Sequence, residues 1–198
     1  RRYRVERATP SRHGGLEGGL NGADTLGRMD HAKTYDALLA EQRNAWQQTQ
    51  ASPFGPRHAQ AHSFAIDLDS WLRFIHPAPE AVVLQKAAVE LHASLSLVAV
   101  AHYRAAFFSL RSFLELGLLT IQHSLHYLHH RQWLIETRDV SWSEMVDEAS
   151  GIFASNTVKA FAAEFSPDAP EAGTIARLAY RRASTFVHGN TSSDAYLT

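Results

Sequence analysis

Two runs of polar residues stand where a helical pattern calls for apolar ones, and they hold the side chains best suited to chemistry. The first is Tyr180-Arg181-Arg182-Ala183-Ser184-Thr185-Phe186-Val187-His188-Gly189-Asn190. His188 lies six positions after Arg182 and seven after Arg181. Seven positions is two helical turns, so Arg181 and His188 share a face and Arg182 lies somewhat round from it. An Arg and a His so placed can meet one phosphate. Histidine exchanges a proton near neutral pH and arginine stabilises charge developing on a phosphorane, which together suffice to cleave RNA through attack by its own 2′-hydroxyl, without metal or cofactor. The same pattern also describes a C-terminal His that caps the helix carbonyls, favoured by the macrodipole, with both arginines solvated.

The second run extends from Tyr103 to Glu115. Arg104, Phe108, Arg111 and Glu115 are spaced by four, three and four, which puts them on one face of an otherwise apolar helix. Charges there cost free energy unless paired, so one reading is an ion pair of Arg111 with Glu115 or with a neighbouring helix. The other is a polar groove for a phosphate, which the guanidinium fork grips with two hydrogen bonds while keeping its charge. His123, His126 and His130 form a third set at helical spacings of three and four, with His129 beside them. Imidazoles so arranged suit zinc or another transition metal, although a second ligand type is missing locally. Tyr127, Leu128 and Trp133 fit a packing face or wet surface instead.

The elements that must position these residues are helical. Tyr35, Leu38, Leu39 and Trp46 mark an amphipathic helix ending before Ser52-Pro53, and Pro53, Gly55 and Pro56 mark a loop. A short helix is expected over residues 65–75, stopped by Pro77 and Pro79. From Glu80 to Leu116 there is neither Pro nor Gly. That length predicts two consecutive helices with Ala87, Leu91, Leu95, Val98 and Tyr103 in the core, and Gly117 as a loosening point in the second. Ser141-Trp142-Ser143-Glu144 has the form of a capping box, and Asn156 is expected to cap a helix running to Phe165. The last long helix is expected over residues 172–188, with Ile175, Leu178, Ala179 and Phe186 buried and Gly189 as terminator. No stretch alternates as a strand would. The pattern is an all-α bundle of about five to seven helices, with no internal repeat.

Composition bounds the function classes. At 198 residues the chain suits one domain with an arm. Cysteine is absent, which removes disulfide scaffolds, thiolate metal sites and cysteine nucleophiles, and suits the cytoplasm. Residues 1–28 hold six of the eleven glycines and are about +3 by count, so they read as a flexible arm or leader, with Met29 as a natural start and residues 29–198 as the single domain. The rest is about −4 and lacks the basic face of a general nucleic-acid binder, so any RNA contact is local. The most apolar stretch, from Leu95 to Leu119, includes His102, Arg104, Arg111 and Glu115, so no membrane span is expected. The opening residues lack a secretory signal pattern. No Gly-rich phosphate loop, His-Glu-x-x-His box or serine nucleophile elbow occurs.

At the final helix the chain resembles the HEPN superfamily, small helical bundles with an Arg, four to six residues, then a His near the end of a late helix. Arg182 and His188 match with five residues between, and Arg181 with six. Tyr180, Ser184, Val187, His188 and Gly189, and the Arg111/Glu115 pair, are also similar to such bundles, and the likeness covers roughly residues 80–190. It implies a homodimeric, metal-independent endoribonuclease of toxin or antiviral-defence type, with two Arg/His pairs in one composite cleft. Arg104, Arg111, Glu115, Ser184 and Asn190 would bind phosphate or support the site, and RNA and a partner protein or antitoxin would be its partners. The alternative is a non-catalytic bundle for dimerisation or partner binding. Arg7 with His13 and Arg57 with His62 carry the same spacing, but fall in the Gly-rich arm and in the Pro-bounded loop. Helical context therefore selects His188.

Overall fold

A computed structural model describes residues 31–189. The expected arm, Met29 and Asn190 lie outside the described residues. Those described form eight α-helices, one 3-10 turn and no strand. The helices are α1 (His31–Ala51), α2 (Gly55–Ile75), α3 (Ala81–Ala99), α4 (Tyr103–Leu125), α5 (Tyr127–Leu134), α6 (Trp142–Met145), α7 (Ser155–Phe161) and α8 (Ala169–His188), with the 3-10 turn at Ala163–Phe165. The described residues divide into two units between Leu38 and Leu39. Every element that positions the candidate site belongs to the second.

The all-α expectation holds, and the differences lie at helix boundaries and faces. The expected stripe of α1 is not a core stripe: Tyr35, Leu38 and Leu39 are exposed and the helix has no buried side chain. α2 starts ten residues earlier than expected, at Gly55 rather than at residue 65. Pro56 sits in its first turn, where the missing N–H would have had no intrahelical partner. Arg57 and His62 therefore lie on a helix and not in a loop, so helical context does not by itself select His188.

The break between α3 and α4 falls at residues 100–102. It is made without Gly or Pro: Ala101 takes a left-handed φ of 62°, and the His102 amide donates to the Leu97 carbonyl at 2.8 Å. The short reversal lays α3 back along α4 in the most extensive helix contact of the fold. Small buried residues, Ala87, Ala88 and Ser94 on α3 and Ala106 and Ser109 on α4, allow the close approach. Leu91 is buried with them, Leu95 and Val98 only partly, and Tyr103 is exposed. Val83, Leu119 and Met145 form the central cluster, flanked by Leu116, Trp133 and Trp142. Gly117 loosens nothing, since α4 continues through it to Leu125. α3 is apolar and long enough, by length and composition alone, to cross a membrane. In this fold it packs between α2 and α4, and Lys86 on it lies over the Trp133 ring at 4.8 Å.

Beyond α5 the chain is held by local devices. Ser141 caps α6 as expected, its Oγ accepting from the Glu144 amide, while the Glu144 carboxylate pairs with Arg138 rather than closing the box. Asp147 Oδ1 accepts from the Ala149 and Ser150 amides and the Ser150 hydroxyl. A side chain on Gly151 would come within 2.5 Å of the Asp147 carbonyl. Asn156 is no cap: Ala154 precedes α7, which ends at Phe161 before the 3-10 turn. α8 ends as expected, with Gly189 in the left-handed conformation (φ 65°).

Candidate functional site

α4 and α8 pack antiparallel, fixed by three polar or aromatic contacts along their length. Arg104 Nη2 donates to the Val187 carbonyl at 3.1 Å, Phe107 stacks on Phe186 at 4.0 Å, and the Tyr180 hydroxyl donates to Glu115 Oε1 at 2.7 Å. The expected burial on α8 is displaced by one face. Ala169, Gly173 and Ala183 are buried and Tyr180 partly so, whereas Ile175 and Leu178 are exposed. Small side chains let α8 approach its neighbours closely; of the expected stripe Ala179 and Phe186 are half-buried, and Ile175 and Leu178 are left outside.

Arg111 and Glu115 form the ion pair that their spacing suggests, Nε to Oε1 at 3.2 Å, with both side chains just over a quarter exposed. The guanidinium also lies 5.0 Å from the centre of the Tyr180 ring, and Trp142 stacks on that ring at 3.8 Å. Burial opposes the Arg111 charge, but the hydrogen bond and charge of Glu115, with Tyr180, outweigh it and raise its proton affinity. Burial, then Glu115, likewise raises the Tyr180 hydroxyl above the usual phenol value. Both groups keep their protons at neutral pH. The cluster braces the two helices, and a phosphate here would have to displace Glu115 from Arg111.

The other expected site residues lie towards the C-terminal end of α8. Arg181, Arg182 and His188 are exposed, and Arg181 and His188 share a face two turns apart. Arg57 and His62 on α2, five residues apart, point about 140° away from each other, so a shared face separates the Arg181/His188 match from the α2 one, whereas Arg182 lies about 120° round from His188. Arg104 reaches this end through its bond to Val187, the residue before His188. Ser184 Oγ is buried without a hydrogen-bond partner among the described residues. Beside the end of α8, the α3–α4 turn opens a cleft of about 640 Å3 lined by His102, Tyr103, Arg104, Phe108 and Val187. The sequence reads Tyr103 as a core position and gives neither it nor His102 a place in the site. The signal that would have found them is the helix break itself, which no turn residue marks.

The histidine set is rearranged. A break at His126 (φ −133°) separates α4 from α5, so His123 and His130 are not on one helix face but oppose each other across it. Their Nδ1 atoms are 3.1 Å apart, and both rings are buried. His126 is exposed and packs against His129. Among the described residues no three His, Asp or Glu side chains gather as a metal ligand set, so the His123/His126/His130 alternative is not assembled. Burial, then electrostatic repulsion from the His130, His129 and Arg138 side chains, lowers His123 from 6.5 to about 4. His129, whose Nδ1 is buried without a partner among the described residues, is also lowered, by burial and then by Arg138.

Comparison with protein-family models, with curated proteins and with solved structures finds no match to this chain.

Proposed function

We propose that the chain is a HEPN-like, metal-independent endoribonuclease of toxin or antiviral-defence type, working as a homodimer. The observation that carries this reading is the exposed end of α8, where Arg181, Arg182 and His188 are open to solvent while Arg104 and Glu115 of α4 hold the neighbouring Val187 carbonyl and Tyr180 hydroxyl of the same helix. Catalytic groups on a rigid, braced helix are better placed than groups on a loop. Exposed Ile175 and Leu178 one to two turns before the arginines offer an apolar strip through which a second α8 would bring its own pair alongside.

In such a composite site His188 of one copy takes the proton from the 2′-hydroxyl as its oxygen attacks phosphorus. His188 of the other gives a proton to the departing 5′-oxygen, and Arg181 or Arg182 offsets the charge on the phosphorane. The products are a 2′,3′-cyclic phosphate and a free 5′-hydroxyl. Arg111 and Glu115 act as braces in this reading, and Arg104 as a phosphate contact.

The test is cleavage of total RNA with EDTA present, comparing wild type with His188→Ala at matched stability and oligomeric state. Cleavage by the wild type alone is expected. Activity that survives the substitution, or that EDTA abolishes, overturns the reading. A second reading, a non-catalytic bundle that binds a partner protein, is favoured by the strongly exposed Trp71 and Phe74 on α2, at 67% and 83%. It predicts no turnover, and loss of partner binding when those two residues are replaced by Ser.

A further inference from the structure

The cleft at the α3–α4 turn holds, beside Arg104, aromatic residues that the catalytic reading does not use. Its lining combines two aromatic rings, Tyr103 and Phe108, with the His102 imidazole and the Arg104 guanidinium, and no acidic residue lines it. Both aromatic side chains are open to solvent, at 38% and 59%. Aromatic rings in water at the mouth of a cleft are surfaces for stacking, and every nucleobase has a face that stacks. Arg104 spends one of its five donors on the Val187 carbonyl, which fixes the guanidinium at the rim. His188 follows Val187 directly, so the rim of the cleft continues into the exposed Arg/His end of α8. The volume of about 640 Å3 falls within the roughly 300–1,000 Å3 usual for small-ligand sites. Among the described residues the one cation that lines it is Arg104 on α4, while the bulk of the chain is mildly acidic, so attraction for a phosphate here is local.

We infer that this cleft holds unstacked bases of a single-stranded RNA beside the scissile bond, with the Tyr103 and Phe108 rings, on different faces of α4 but both lining the cleft, each offering a face to a base and Arg104 meeting the phosphate. The inference rests on the ribonuclease reading and names its substrate class: unpaired RNA, since a base inside a duplex has no free face to offer. Selection of single strands would come from this stack, and the chemistry from the end of α8.

The test uses the full chain carrying His188→Ala, so that RNA survives, and a fluorescent ten-nucleotide single strand read by anisotropy. Tyr103→Ala with Phe108→Ala is expected to weaken binding roughly fivefold to a hundredfold, the range for losing a base–aromatic stack. Tyr103→Phe keeps the ring and should keep the affinity. A strand of the same length made wholly of abasic nucleotides should bind weakly and be indifferent to the Ala changes, and thermal melting of each variant checks the fold. Unchanged binding of the base-containing strand by the Ala variant overturns the inference, as does an equal loss with the abasic strand. Cleavage of total RNA by the wild type, measured alongside, separates the two ideas. Cleavage without dependence on the rings sinks the stacking cleft alone, whereas ring-dependent binding without cleavage sinks the ribonuclease and leaves the cleft.

Discussion

Acid should loosen this fold through the buried histidine pair, and the size of the effect can be worked out. His123 is 3% exposed and its Nδ1 lies 3.1 Å from that of His130. At that distance one nitrogen donates and the other accepts, an arrangement that a neutral His123 satisfies. Burial, then repulsion from the His130, His129 and Arg138 side chains, holds His123 at about 4 against 6.5 in the open chain. Between those values the unfolded chain binds a proton that the native state refuses, so stability falls as pH falls. From the two pKa values the loss is about 1.4 kcal/mol at pH 5.5 and about 2.5 kcal/mol at pH 4.5; it vanishes above pH 7 and levels off below pH 4. The assay is urea unfolding followed by far-UV circular dichroism at pH 7.5, 5.5 and 4.5, for wild type and His123→Gln. Glutamine cannot titrate and still offers His130 a hydrogen-bond partner. Carboxylates titrate in both proteins and cancel in the difference. The stability difference, wild type minus variant, should drop by about 2.5 kcal/mol between pH 7.5 and 4.5. A difference constant to within about 0.5 kcal/mol would refute the assignment of a buried His123 that refuses its proton.

Other perturbations test the scaffold. Tyr180→Phe removes the hydroxyl that Glu115 accepts and should cost about 1 kcal/mol by denaturant titration. Glu115→Ala strips the partner from a partly buried Arg111 and should cost more, roughly 1–3 kcal/mol, with salt recovering little of it. Gly189→Ala forces a side chain into φ 65° and should lower stability by about 1 kcal/mol, seen as a drop in Tm. Gly151→Ala brings a methyl against backbone atoms of Asp147 and Met145 that cannot swing aside, and a loss of roughly 3 kcal/mol or more is expected by the same titration.

What the sequence alone determined is whatever local chemistry encodes. The 3.6-residue period, Pro77 and Pro79 after α2, the Ser141 cap and the Gly189 terminator each act within one turn of the chain, and each is realised. The Arg111/Glu115 pair is also local, because four residues along a helix bring two side chains together whatever surrounds them. The tertiary structure decided the rest. Ile175 and Leu178 read as core by hydrophobicity, but α8 has apolar residues on two faces, and the smaller face of Ala169, Gly173 and Ala183 is the one that is buried. The break at Ala101 bears no turn residue, since an alanine held at φ 62° is tolerated only when the packing of α3 on α4 outweighs its strain. That break makes the cleft beside α8, and the one at His126 turns three histidines on a supposed single face into a buried pair and an exposed ring. Helix identity follows from neighbours in sequence, whereas the choice of buried face and the groups that meet across a turn depend on neighbours in space.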